Sequence, residues 1–128
     1  MQVVFWGARG SLPSSVNHHT IREKISKALN QSLSVDLSSE ADVESFIDND
    51  LSFDIKGGFG CNTSCVEIKC GDEYVLCDSG SGLRDFGTSQ VEQGIMSATY
   101  HIFMSHLHWD HINGFPFFTP AYIPGNTV

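Results

Sequence analysis

Three histidines and an aspartate fall within six residues, His106-Leu107-His108-Trp109-Asp110-His111. In an extended segment residues two apart point to the same side, so His106 and His108 can converge on one ion while Leu107 turns away into the core. After a turn at Trp109, Asp110 and His111 can face back toward the same cavity and offer an oxygen and a nitrogen to a second ion. Packed together without a cation, three imidazoles and a carboxylate would repel or desolvate one another. A divalent ion neutralises the carboxylate and uses the lone pairs. The cluster therefore points to two divalent metal ions, zinc by preference for imidazole-rich sites, with manganese or iron accepting the same mix. His18, His19 and His101 stand apart from it and read as ordinary surface or core groups.

The elements that must position this cluster are legible in outline. Thr99 to Ser105 reads as a strand running straight into the histidines, preceded by Gly94. Gln2 to Trp6 is a short apolar, β-branched run ending at Gly7, the pattern of a strand buried on both faces. Cys65 to Cys70 and Tyr74 to Asp78 form a hairpin through a turn at Gly71-Asp72-Glu73, after a flexible approach at Gly57-Gly58-Phe59-Gly60. Ser79-Gly80-Ser81-Gly82 leads into a short helical segment near Leu83 to Phe86. Between the first strand and the hairpin lies a helical insertion at about residues 17 to 55. Thr20 and Glu23 have capping-box spacing there, and Ile21, Ile25 and Leu29 recur every fourth residue along a narrow, surface-lying stripe. Ser39 caps a second helix, whose apolar face is Val43, Phe46, Ile47 and Leu51.

Composition bounds the function. A chain of 128 residues makes one domain at most and can bury roughly two thirds of its unfolded surface. Fifteen acidic against seven basic residues give a formal charge of -8, which argues against general nucleic-acid binding. No run approaches the ~18 apolar residues of a membrane span, and Met1 to Trp6 lacks the basic leader of an export signal. The spacings of Cys61, Cys65, Cys70 and Cys77 fit neither a paired zinc site nor a secreted disulfide framework, so buried free thiols in a reducing cytoplasm are expected.

The segment Ser105-His106-Leu107-His108-Trp109-Asp110-His111 resembles the His-x-His-x-Asp-His signature of the metallo-β-lactamase superfamily. Phe5-Trp6-Gly7-Ala8-Arg9-Gly10-Ser11-Leu12-Pro13, Asn62-Thr63-Ser64-Cys65, Asp78-Ser79-Gly80-Ser81-Gly82-Leu83-Arg84 and Gly114-Phe115-Pro116-Phe117-Phe118 are similar to a bacterial subgroup of its hydrolases, of the phosphodiesterase and ribonuclease Z kind. The resemblance implies an α+β fold, the N-terminal half of a four-layer αββα sandwich, with a mostly antiparallel sheet and flanking helices. It assigns His106 and His108 to the first metal and Asp110 with His111 to the second, Asp110 also serving as the catalytic carboxylate. Asp78 would support the histidine loop from behind, although a turn role before Ser79-Gly80 fits it equally. Asn62, Ser64 and Arg84 would lie near the site mouth, where turn or surface roles compete.

Two departures qualify the resemblance. Gly60-Cys61 stands where the subgroup has paired glycines, adding a side chain close to the expected pocket. The superfamily completes its sites with a later histidine, a bridging aspartate and a final histidine, yet no His follows His111 and no Asp or Glu follows Asp110. The chain would thus be a first half that leaves each ion short of ligands, and weak metal binding with little turnover is expected of it alone. Its apolar sheet face would need the missing C-terminal half or a second chain to cover it. The expected function of the whole is metal-dependent hydrolysis of a small-molecule substrate, a phosphodiester by resemblance, with thioester or lactam hydrolysis using the same metals. A half-domain that binds metal or a partner without catalysis is the alternative of a different kind.

Overall fold

The computed structural model describes residues 1–58, 60–70 and 73–128. The chain folds as two compact units, Met1–Ser14 with Phe59–Val128, and Ser15–Gly58.

The first unit is α+β. Its β-branched and aromatic runs pair into a four-stranded sheet of β1 (Gln2–Gly7), β2 (Cys65–Cys70), β3 (Glu73–Cys77) and β4 (Tyr100–Phe103), in that spatial order. β1 with β2 and β2 with β3 are antiparallel, whereas β3 and β4 run parallel. A parallel pair needs a crossover, and α4 (Gly82–Glu92) supplies it. Of the expected hairpin turn, Gly71 and Asp72 lie outside the described residues, as does Phe59 of the glycine-rich approach. α4 runs well past the expected Leu83 to Phe86, because its buried residues continue to Gln90.

Side chains two apart share a face of the sheet. One face carries Trp6, Cys65, Leu76 and Tyr100, which join Leu83 and Phe86 of α4 and Phe118 in the core. Phe86 and Tyr100 meet edge to face with ring centres 6.0 Å apart, and Tyr100 meets Phe118 at 5.1 Å and 90°, the favoured geometry for aromatic pairs. Glu67 is buried on this same face, its Oε2 accepting from Trp6 Nε1 at 2.9 Å and its Oε1 lying 3.7 Å from Lys69 Nζ. The register places Val3, Phe5, Val66, Ile68, Val75, Cys77 and Phe103 together on the opposite face. That face is open: Phe5 is 70 % and Phe103 62 % exposed. β1 is accordingly an edge strand covered on one side only, not the doubly buried strand its composition suggests.

The second unit is helical. α1 (His18–Ser32) is capped by Asn17, whose side chain accepts from Thr20 N at 3.0 Å. The cap therefore precedes the Thr20 expected from capping-box spacing. Ile21, Ile25 and Leu29 lie exposed along it. Ser39 caps α2 (Glu40–Ser45) in a reciprocal box with Asp42, whose carboxyl the Ser39 hydroxyl and amide hold below its ordinary value. A π-helical turn at Phe46–Asp50 then widens the helix and rotates its apolar face. Phe46, Leu51 and Ile55 of α3 (Phe53–Lys56) become the buried cluster, while the expected partners Val43 and Ile47 stay exposed. Lys24 ties α1 to α3 by donating to the Gly57 carbonyl at 2.7 Å and to that of Asp54. Among the described residues no helix is long and apolar enough to cross a membrane.

Candidate metal centre

The candidate site sits where three loops of the first unit are stitched together. Loop 78–82, after β3, lies between segment 62–64 and the stretch that follows the histidines. Gly80 N donates to Ser64 O at 2.8 Å, Ser79 N to His111 O at 2.9 Å, and Gly114 N to Ser79 O at 2.9 Å. The packing is so close that a Cβ on Gly80 would strike the Asp110 carbonyl and the Thr63 hydroxyl, and one on Gly114 would strike the Gly80 carbonyl. Glycine at these two positions lets the histidine loop lie directly on the Asp78 loop.

Asp78 is the hub. It is 6 % exposed, adopts a left-handed backbone (φ 65°) and is fixed to the end of β4 by its amide, which donates to Phe103 O. Aspartate is among the residues that tolerate this conformation best. Oδ1 accepts from the Ser105 amide at 2.8 Å and the Ser105 hydroxyl at 2.7 Å. Oδ2 accepts from the Ser64 hydroxyl at 3.1 Å and meets His111 Nδ1 at 2.8 Å. Burial alone would push this carboxyl up, but the bonds from Ser105, His111 and Ser64 outweigh it and hold it at about 2. Asp78 is therefore a carboxylate, a pure acceptor, and His111 Nδ1 must carry the proton it shares.

The same logic fixes a second ring. The Ser105 hydroxyl has one proton, spent on Asp78, so its 3.0 Å contact with His106 Nδ1 makes that nitrogen the donor. His106 and His111 thus both present Nε2 away from their supports. Their ring centres are 4.0 Å apart, and those of His106 and His108 are 4.5 Å apart. Asp110 completes the group, with Oδ2 accepting from the Ser11 amide at 2.9 Å and lying 3.4 Å from His111 Nε2. The Ser11 bond, chiefly, lowers the Asp110 carboxyl below its ordinary value, with His111 and His106 adding to the effect.

The structure thus brings His106, His108, Asp110 and His111 together, with Asp78 behind His111. Among the described residues, however, no group of three or more His, Cys, Asp and Glu side chains is set as a ligand cage in this conformation. One expectation from the sequence is overturned. β4 ends at Phe103, so residues 104 to 108 form a loop beyond the sheet, and Leu107 is 75 % exposed instead of turned inward.

The remaining expected residues separate. Ser64 lies behind the site, on Asp78. Asn62 is spent on structure, donating to Asp85 Oδ2 at 2.5 Å and accepting from the Ser81 hydroxyl at 3.1 Å. Arg84 pairs with its neighbour Asp85 at 2.7 Å. Cys61 enters the loop network through its carbonyl, which accepts from Ser14 N. Of the thiols expected to be buried, Cys65 is, whereas Cys61 and Cys77 are half-buried and the Cys70 side chain lies outside the described ones. Sequence reasoning missed Ser11 and Ser105. Both lie inside the segments that carry the resemblance, and Ser105 directly precedes the first histidine, but a serine beside a loop has no spacing signal of its own.

Comparison of the chain with family models, with curated proteins and with solved structures finds no match.

Proposed function

We propose that the histidine loop is a metal centre and that the chain is the first half of a metal-dependent hydrolase of the metallo-β-lactamase fold. The observation that carries this reading is the 3.4 Å approach of His111 Nε2 to Asp110 Oδ2. With Nδ1 turned to Asp78, the opposite ring nitrogen, Nε2, faces a carboxylate oxygen, and a divalent cation between the two would take one donor from each. The donor set fits one: three imidazoles and a carboxylate, two of the rings oriented by groups behind them, as metal-ligating histidines normally are. His106 and His108 would serve one divalent ion and Asp110 with His111 a second, zinc by preference. When bound, such ions supply the Lewis acidity that activates water and polarises the bond to be cleaved. The protein's own part is positional. Asp78 sets the His111 tautomer, Ser105 the His106 tautomer, and the Ser11 amide the direction of Asp110.

The resemblance makes a small phosphodiester the substrate class, and thioester or lactam hydrolysis would use the same donors. Each ion receives only two protein ligands from this chain, so weak binding and little turnover are expected of it alone. The open apolar face of the sheet favours a second reading, a half-domain that binds metal or a partner chain without catalysis, the partner closing the αββα sandwich.

Zinc titration followed by histidine side-chain NMR tests the metal centre. The Nε2 resonances of His106, His108 and His111 should shift together, and Asp110→Ala should weaken binding. Saturating zinc that leaves all three rings unmoved sinks the reading. Robust phosphodiesterase turnover by the 128-residue chain would overturn the expectation that its own ligands are too few.

A further inference from the structure

A cavity of about 250 Å³ opens beside the histidine loop, and none of the candidate metal ligands lines it. Trp109, which lines it, stands between His108 and Asp110. Pro13, on another side, is two residues beyond Ser11, whose amide holds Asp110. The slot therefore shares its supports with the candidate metal centre.

Its lining is specific. Trp109 is 65 % and Phe117 64 % exposed, so two large aromatic rings bordering a cavity remain open to solvent. Asn113 is 8 % exposed and its Oδ1 accepts from the Thr63 hydroxyl at 3.2 Å. With Oδ1 engaged by that bond, Nδ2 has no hydrogen-bond acceptor among the described residues, which leaves its two donors for a ligand. Arg84 lies on the lining with its charge met by Asp85, through Nε at 2.8 Å and Nη2 at 2.7 Å. A paired guanidinium is a poor anion site but a good flat surface for stacking. The volume falls below the ~300–1,000 Å³ of pockets that enclose a whole drug-sized ligand. One ring system fits.

We propose that this slot binds a planar heteroaromatic ring carrying a hydrogen-bond acceptor on its edge, stacked against Trp109 and Phe117 with Asn113 Nδ2 donating to it. The ring would belong to a substrate whose reacting bond lies at the histidine loop. That last connection rests on the metal-centre reading, whereas ring binding itself does not.

Adenosine, with ribose as the control, is the probe, and tryptophan emission of the whole chain is the readout. Trp6 serves as an internal reference, being held in the core by Glu67 and Phe86. Adenosine should quench Trp109 saturably with or without zinc, and ribose should not. Phe117→Leu, at an exposed position, should weaken adenosine binding about fivefold to a hundredfold, the usual value of one stacking partner. Trp109→Leu should do the same by equilibrium dialysis. An absent or ribose-like response, or affinity unchanged in both variants, overturns the slot. Zinc dialysis on the same sample separates the two readings. Zinc bound with no adenosine response removes the slot and leaves the metal centre standing, and adenosine bound with no zinc does the reverse.

Discussion

Both faces of the four-stranded sheet carry a row of apolar side chains, and their fates are opposite. On one, Trp6, Leu76 and Tyr100 meet α4 and Phe118, and Leu76, Phe86 and Phe118 are fully buried. On the other, Val3, Phe5 and Phe103 remain open to solvent. The difference shows where the first unit gets its stability and where it has surface to spare. Burial of apolar area stabilises at about 25 cal/mol per Å², so the covered face supplies the folding energy and the open face contributes little. Both faces end at the same edge, where the loops after β3 and β4 carry Asp78 and the histidines.

The largest effect expected lies on the covered face. Phe86 touches Trp6, Tyr74, Tyr100 and Phe118, so Phe86→Ala should cost about 3–5 kcal/mol, read from urea unfolding. Phe5→Ser on the open face should change stability by no more than about 0.5 kcal/mol, the usual range for surface positions. It should also lower the binding of a hydrophobic dye. Equal costs at the two positions would show that something covers the open face in solution.

Next in size is a change at the shared edge. Asp78→Asn keeps a residue that tolerates the left-handed backbone but removes the carboxylate that holds His111 and Ser105, so zinc affinity should fall by up to about 10–100-fold, the usual cost of disturbing a ligand's support. Competition with a chromophoric chelator measures it on the folded protein. Unchanged affinity would mean that His111 is not a ligand, or that Asp78 serves only to tie β3 to β4.

The histidine loop stood out in the sequence because four ligand-type side chains fall within six residues, and what the structure adds is their proximity, with the rings of His106 and His111 4.0 Å apart. The two-residue spacing of His106 and His108 does bring their rings together. What spacing could not convey was the end of β4. The strand was read through Ser105, but pairing with β3 stops at Phe103, which frees Leu107 from the core. The hairpin strands and the start of α4 near Leu83 to Phe86 followed from local signals, whereas the full length of that helix and its crossover to a parallel β4 did not. The one-sided exposure of β1 did not, because composition reports how apolar a strand is and not whether a second layer exists to cover it. In the helical unit, cap chemistry located Ser39, but the π-turn at Phe46–Asp50 shifted the apolar face by a fraction of a turn that a fixed period misses.

The smallest effect compares two cysteines, one on each face. Cys65 is fully buried on the covered face, and burial, with Glu67 and Asp78 nearby, pushes its thiol up to about 12. Cys77 lies half-buried on the open face. Since the thiolate is the nucleophile, Cys65 should resist alkylation at pH 8 until the chain unfolds, while Cys77 should be modified in the native state. Mass spectrometry of tryptic fragments distinguishes them. The same asymmetry bears on stability. A folded-state value raised above the ordinary 9.0 means that the unfolded chain gives up its proton first. The contribution of Cys65 is thus complete below pH 9 and is lost as the pH climbs toward 12. Cys65→Ala should remove that part of the alkaline decline without altering the decline from other groups. Native-state labelling of Cys65 at a rate matching Cys77 would mean that the covered face opens as readily as the bare one, and the distinction between them would fall.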